Sequence, residues 1–114
     1  MNVFDRMREV LGELGQPKFK VIEVTDLPAR LDKRNIYIVG EGSYRWFLAL
    51  LCPCGCQEVI YLNVRHDSHP YWNIKAHAGT VSIEPSIWRQ KGCGSHFFIR
   101  KGRVQWCQPF QKNK

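Results

Sequence analysis

Residues 44–56 have the sequence YRWFLALLCPCGC, an apolar run that leads directly into three alternating cysteines. The apolar part is shorter than the roughly 18 residues of a membrane span and is typical of a buried β-strand. Disulfides between cysteines so close together are badly strained. The run therefore predicts a strand that ends in a metal-binding loop rather than in a disulfide.

Further strands are predicted on both sides of this run, where short segments rich in β-branched and aromatic residues lie between turn-forming residues. These segments are residues 18–24, 35–39, 58–64, 71–77, 80–83, 96–100 and 103–107. Tight hairpin turns are expected at Ala78-Gly79 and Lys101-Gly102, and Pro85 is expected to end the strand before it. The fold class that follows is mainly β, a small antiparallel domain over residues 18–114.

The first residues of the chain have a different pattern. Apolar side chains within residues 3–14 recur at the three- and four-residue spacing of one helix face. We therefore predict an N-terminal amphipathic helix within residues 1–17. These residues contain no apolar signal-peptide stretch, so we expect a cytoplasmic protein without a membrane partner.

Charge is distributed unevenly along the 114 residues, a length that suits one domain. Residues 1–84 contain ten basic and ten acidic side chains, so the whole net charge of +7 lies in residues 85–114. A basic end attracts an acidic protein or nucleic acid, or keeps a small domain soluble. The composition, 44% hydrophobic and 24% charged, excludes a disordered chain and a coiled coil.

A second cysteine cluster, Cys93-Gly-Ser-His96, lies in a glycine-rich loop further along the chain. Two short clusters of Cys and His on two loops are typical of structural zinc sites. A cysteine-only site would use Cys52, Cys54, Cys56 and Cys93. A mixed site would use two of the first three cysteines together with Cys93 and His96. The spacing predicts a zinc-stabilised domain and leaves both ligand sets open.

Two serines near the second cluster are candidate nucleophiles, with His96 as the candidate base. A serine hydroxyl becomes a nucleophile only when a base lies within hydrogen-bond reach. Ser95 is adjacent to His96, so in a strand the two side chains would point to opposite faces. Ser86 lies on a neighbouring loop end and meets His96 more readily. In the alternative interpretation, Ser86 caps the loop and His96 is a zinc ligand.

Three motifs follow one another in the chain: Cys52–Cys56 (CPCGC), Val81–Ile87 (VSIEPSI) and Cys93–Ile99 (CGSHFFI). With their flanking strands, over residues 20–107, they resemble a bacterial family of small cysteine-rich proteins. Members of this family are encoded beside ubiquitin-like proteins and the enzymes that activate and conjugate them. Family members often have a histidine directly before the cysteine cluster, where this chain has leucines.

The resemblance implies a zinc-stabilised small protease that trims ubiquitin-like precursors before conjugation. Its motifs assign roles to seven residues of this chain. The catalytic candidates are Ser86, Ser95 and His96, and the metal candidates are Cys52, Cys54, Cys56 and Cys93. The implied partners are a ubiquitin-like protein and its conjugation enzymes, with zinc as a structural cofactor.

The favoured hypothesis is therefore a serine-type peptidase that processes the C-terminus of a ubiquitin-like protein. One alternative is a non-enzymatic zinc module that binds a partner or nucleic acid through its basic end, which steep salt dependence would reveal. A second alternative is a zinc hydrolase whose metal keeps an open water position, with Glu84 as the base. Nucleic acid is the less favoured partner.

Overall fold

The computed structural model describes residues 18–77 and 79–107 of the chain. Eight β-strands form the regular structure of these ranges, which confirms the predicted mainly β fold. The predicted helix in residues 1–17 lies outside the described residues. The described segments include no helix with the length and hydropathy needed to cross a membrane.

The first four strands form one sheet in the order β1-β2-β3-β4. They are β1 (Lys20–Val24), β2 (Asn35–Glu41), β3 (Tyr44–Leu51) and β4 (Val59–Asn63). β2, β3 and β4 pair antiparallel, as predicted, with Leu48 opposite Leu62 in the β3–β4 pair. β4 is one edge of this sheet.

The pairing of β1 with β2 differs from the prediction, because the two strands are parallel, with Lys20 opposite Asn35. The prediction of a wholly antiparallel domain is therefore wrong for this pair. Parallel neighbours need a connection that returns the chain to the starting end of the sheet, and residues 25–34 provide it. The hydroxyl of Tyr37 holds this connection, since it accepts a hydrogen bond from the backbone N–H of Asp32 at 3.0 Å.

The other four strands form an antiparallel sheet in the order β5-β6-β7-β8. They are β5 (Asn73–His77), β6 (Thr80–Trp88), β7 (His96–Arg100) and β8 (Arg103–Trp106). Both predicted hairpins are confirmed by the pairing of the residues that flank them. In the second hairpin, Lys101 and Gly102 have φ angles of +52° and +79°, the positive values that a two-residue turn of type I′ requires.

β6 does not end at Pro85, as predicted, but continues to Trp88. Its register against β7 shifts between Ile83 and Ile87, so the strand bulges there. Proline has no N–H and cannot donate to the sheet ladder, and a bulge is one of the few places where a sheet accepts it. The bulge contains Ser86, and such irregularities re-aim side chains next to functional sites.

The two sheets pack face to face around one hydrophobic core. Successive side chains of a strand point to opposite faces, so every second residue enters the core, as Ile36 and Ile38 of β2 do. The buried members of the core are Ile36, Ile38, Leu48, Leu50, Cys52, Ile60, Leu62, Val81, Ile83, Ile87, Phe97 and Ile99. Because one of them is a cysteine at the end of β3, the candidate metal site adjoins the core directly.

Candidate active site and metal centre

Four thiols, those of Cys52, Cys54, Cys56 and Cys93, meet between two loops and are here called the four-cysteine cluster. The first three lie in the loop between β3 and β4, and Cys93 lies in the loop between β6 and β7. All four sulfur atoms lie within 4.8 Å of one another, with 3.4 Å between Cys52 and Cys54 and 3.6 Å between Cys52 and Cys93. A tetrahedral site with zinc–sulfur bonds of about 2.3 Å needs sulfur atoms about 3.8 Å apart. The cluster therefore fits one tetrahedral metal ion.

Backbone hydrogen bonds hold both ligand loops in shape. In the first loop, the N–H of Cys52 donates to the carbonyl of Glu58 at 2.9 Å, and the N–H of Gly55 donates to the carbonyl of Cys52 at 3.2 Å. Gly55 has a φ of +92°, a conformation that glycine adopts without strain. In the second loop, the N–H of Arg89 donates to the carbonyl of Ser95 at 2.7 Å. The cysteines are thus positioned by the loops themselves.

The electrostatics of the cluster also suit a cation. Burial raises the pKa of the Cys52 thiol to about 12. Burial opposes ionisation of Cys93 as well, but hydrogen bonds from Ser95, Cys52 and Cys54 outweigh it and lower the pKa of Cys93 to about 6. At neutral pH the free cluster therefore combines thiolate with thiol, and the remaining thiols would lose their protons on binding a metal ion.

Ser86 and His96 form the second group of interest, here called the Ser–His pair. The hydroxyl oxygen of Ser86 lies 2.8 Å from Nε2 of His96, within hydrogen-bond distance. Ser86 lies in the bulge of β6, and His96 is the first residue of the neighbouring strand β7. A serine hydroxyl bonded to an imidazole nitrogen is the arrangement that activates a serine nucleophile.

An indole ring supports the imidazole of this pair. Trp88 lies opposite His96 across the β6–β7 pair, and their rings stack with centroids 5.0 Å apart at an interplanar angle of 18°. The indole N–H of a second tryptophan, Trp72, donates to the backbone carbonyl of Ser86 at 3.2 Å. Two tryptophans therefore restrict the imidazole ring and the backbone of the serine.

Ser95, the other candidate nucleophile, lies in a different environment. It is 1% exposed, and its hydroxyl oxygen lies 3.2 Å from the sulfur of Cys93. The structure thus brings Ser86 together with His96 and brings Ser95 together with the four-cysteine cluster. His96 is not part of that cluster, so the arrangement favours the cysteine-only ligand set over the mixed one.

The acidic residue that would complete a Ser–His–acid triad is not found in the described part of the chain, where no carboxylate hydrogen-bonds to His96. Glu84, the base considered for a zinc hydrolase, forms an ion pair with Lys75 at 3.1 Å. It does not belong to the four-cysteine cluster either. In this site the stacked indole, rather than an acid, contacts the imidazole.

Sequence reasoning missed the contact between Trp72 and the carbonyl of Ser86. The signal that could have drawn attention to it is the indole N–H, because a partly buried tryptophan usually finds a hydrogen-bond acceptor. The sequence alone does not say which acceptor, since Trp72 precedes β5 whereas Ser86 lies in β6. Their meeting depends on the pairing of β5 with β6, which places Asn73 opposite Glu84.

Replacing His96 with glutamine should leave the metal content unchanged, because Nε2 of His96 contacts Ser86 and not the four-cysteine cluster. Elemental analysis of the purified variant should give the wild-type ratio of metal to protein. Cys54→Ser is the matched control, and its ratio should fall. Loss of metal from His96→Gln would identify His96 as a ligand and favour the mixed set.

The structure thus combines a two-sheet β fold, a serine hydroxyl in contact with an imidazole, and a cluster of four cysteines that could hold a metal ion. A family model described as "Bacterial ubiquitination-like system serine protease (BubE)" matches residues 23–107. The chain therefore belongs to this family, and the resemblance noted in its motifs is confirmed. No curated protein and no solved structure matches the chain.

Proposed function

We propose that the chain is a serine peptidase, stabilised by a structural zinc ion, that trims the C-terminus of a bacterial ubiquitin-like protein before conjugation. The observation that carries the proposal is the 2.8 Å contact between the Ser86 hydroxyl and Nε2 of His96. Membership of a serine protease family of ubiquitination-like systems supports the reaction class and the kind of partner.

In the proposed reaction, the Ser86 hydroxyl attacks the carbonyl carbon of the scissile bond while Nε2 of His96 accepts its proton. The tetrahedral intermediate collapses as His96 returns this proton to the leaving amine, which departs with the residues beyond the cleavage site. An ester then links Ser86 to the new C-terminus. Water, deprotonated by His96, attacks this ester and releases the trimmed protein with Ser86 restored.

Orientation of the imidazole is the part of this mechanism that usually depends on an acid. Here the stacked ring of Trp88 restricts rotation of the imidazole about its long axis. The sheet pairing of Trp88 with His96 fixes the two residues side by side. This support keeps Nε2 directed at Ser86, so that the nucleophile and the base remain in position between turnovers.

In this proposal Cys52, Cys54, Cys56 and Cys93 hold the zinc ion, which acts on structure alone. Four thiolates fill a tetrahedral shell, so no position is left for a reacting water. Cys93 is three residues before His96, so a metal ion bound there fixes the loop that leads into the base. Rigid support of this kind is what a catalytic pair requires.

These contacts also weigh against the two alternatives. A zinc hydrolase needs an open metal position and a free base, whereas the cluster offers four thiols and Glu84 is paired with Lys75. For the binding module, Arg100 lies at the far end of β7 from His96, about 13 Å away at the rise of a β-strand. The basic residues around Arg100 are thus separate from the Ser–His pair, and we assign them to partner attraction rather than to chemistry.

The test combines a serine-directed probe with a cleavage assay. A small fluorophosphonate should label the wild-type protein at Ser86 and at no other serine, which peptide mass spectrometry identifies. Mass spectrometry of a bacterial ubiquitin-like precursor should show a shortened C-terminus after incubation with the protein. A wild-type protein that is neither labelled nor active on this precursor would contradict the serine mechanism.

A further inference from the structure

An open groove lies at the edge of the first sheet, next to the Ser–His pair. Its volume is about 280 Å³. Residues 59–62 of β4 form one wall, and Trp72 with residues 87–89 at the end of β6 forms the other. We call it the β4 groove. Most of the residues that line it are apolar or aromatic, and Arg89 is the one charged residue among the described residues that line it.

The wall formed by β4 has unpaired backbone groups. In an antiparallel strand, the N–H and C=O of one residue point to the same side, and the side alternates along the strand. The carbonyl of Asn63 accepts a hydrogen bond from the N–H of Trp72, so odd-numbered residues of β4 face away from β3. Val59 and Tyr61 therefore direct their N–H and C=O groups outward. Within the described residues, no backbone group pairs with them.

We propose that the β4 groove binds the C-terminal tail of the ubiquitin-like substrate as an added β-strand, an inference that rests on the proposed function. Main-chain hydrogen bonds to an exposed sheet edge are a general mode of peptide recognition. The four residues of β4 that line the groove match three or four residues of an extended peptide, about 10–13 Å long. The small volume of the groove suits a tail with small side chains.

The groove adjoins the Ser–His pair through residues that neighbour Ser86. Ile87 and Trp88 line it and directly follow Ser86 in the chain. Trp72, on the same wall, donates its indole N–H to the carbonyl of Ser86. A peptide seated along β4 therefore runs beside the strand that carries the nucleophile.

The positive charge at the groove determines which peptide tails can bind there. Nη1 of Arg89 is buried and has no acceptor in the described part of the chain, so the positive charge of this guanidinium is not neutralised there. No acidic residue lines the groove. A neutral or acidic tail of small residues therefore fits, whereas a basic tail would meet uncompensated repulsion.

The main test is a scan of the substrate backbone. A synthetic peptide that spans the bond cleaved by the wild-type protein is methylated at one backbone nitrogen at a time, and KM is measured for each peptide. Methylation should raise KM by about 5- to 10-fold, the equivalent of one backbone hydrogen bond, at every second position only. A β-strand shows this alternation because successive N–H groups point to opposite sides.

A protein variant tests the same contact from the other side. Tyr61→Pro removes the outward-facing N–H of β4, and a sheet edge tolerates proline where the N–H faces away from the ladder. We expect KM to rise by about 5- to 10-fold. Ala76→Pro is the matched control, because Ala76 is exposed on β5, the edge strand of the other sheet, and KM should not change.

The outcomes separate this proposal from the proposed function. In one outcome, the wild-type protein cleaves the peptide while the rise in KM shows no alternation along the methylated positions. That result overturns the added-strand proposal and leaves the peptidase function standing. If the wild-type protein is not labelled by the fluorophosphonate and cleaves nothing, both proposals fail. Should Tyr61→Pro not fold, as judged by thermal melting, the methylation scan still decides.

Discussion

Changing Ser86 to alanine should lower the rate of precursor cleavage by on the order of 10⁴-fold or more, the usual consequence of removing a serine nucleophile. The contact of its hydroxyl with His96 at 2.8 Å is the reason for this expectation. The fold and the metal content should be retained, because Ser86 lies outside the four-cysteine cluster. Single-turnover cleavage followed by mass spectrometry measures the rate.

Three further variants sharpen this experiment. Ser43→Ala, an exposed serine in the turn between β2 and β3, should cleave at the wild-type rate. Ser95→Ala should still cleave, because the Ser95 hydroxyl contacts Cys93 and not His96. Adding His96→Ala to Ser86→Ala should lower the rate no further, because the effects of substituting two members of one catalytic unit are not additive. Wild-type cleavage by Ser86→Ala would contradict the assignment of the nucleophile.

Changing Cys93 to alanine should release the metal and unfold the protein. Cys93 is the one ligand of the four that comes from the second sheet, so its loss separates the two ligand loops. Structural zinc stabilises small domains by about 10–16 kcal/mol in isolated fingers, whereas a whole domain is stable by only about 5–15 kcal/mol. Elemental analysis and thermal melting of the soluble fraction test this expectation.

Cys107 provides the matched control for this experiment. It is a free cysteine outside the four-cysteine cluster, and its backbone N–H, which donates to the carbonyl of His96 at 3.0 Å, remains after substitution. Cys107→Ala should therefore keep the metal and the wild-type melting temperature. A metal-free Cys93→Ala variant that melts like the wild type would show that the cluster does not support the fold.

Most strands of this fold could be predicted because their residues are mainly β-branched or aromatic, and because turn-forming residues such as Gly and Pro mark their ends. The direction of β1 could not be predicted. Residue composition does not distinguish the parallel β1–β2 pair from an antiparallel one, and the direction depends on the path of residues 25–34, which a contact with Tyr37 holds. The end of β6 was also mispredicted. A proline normally ends a strand, but pairing with β7 continues beyond Pro85 because β6 accepts the proline in a bulge.

The candidate site was predictable to a similar degree. Cysteine spacing is sufficient to predict two ligand loops, because close thiols in a chain of this kind are typical of metal sites. The role of His96 could not be decided from spacing, because the residue is near both Cys93 and a serine in the chain. The bulge in β6 and the start of β7 favour the role of a base, because they place the Ser86 hydroxyl within hydrogen-bond distance of His96.

The order of the chain has a consequence for the synthesis of this protein. Cys93 and His96, which complete the ligand set and the Ser–His pair, lie within four residues of each other near the C-terminal end of the matched region. Chains are made from the N-terminus, and their parts fold as they emerge. A nascent or truncated chain that stops before Cys93 has three thiols and a serine, but neither a fourth ligand nor a base. Under the proposed function, proteolytic capacity and metal retention therefore arise together, once Cys93 and His96 have been added, and chains that stop earlier cannot cleave the proteins around them.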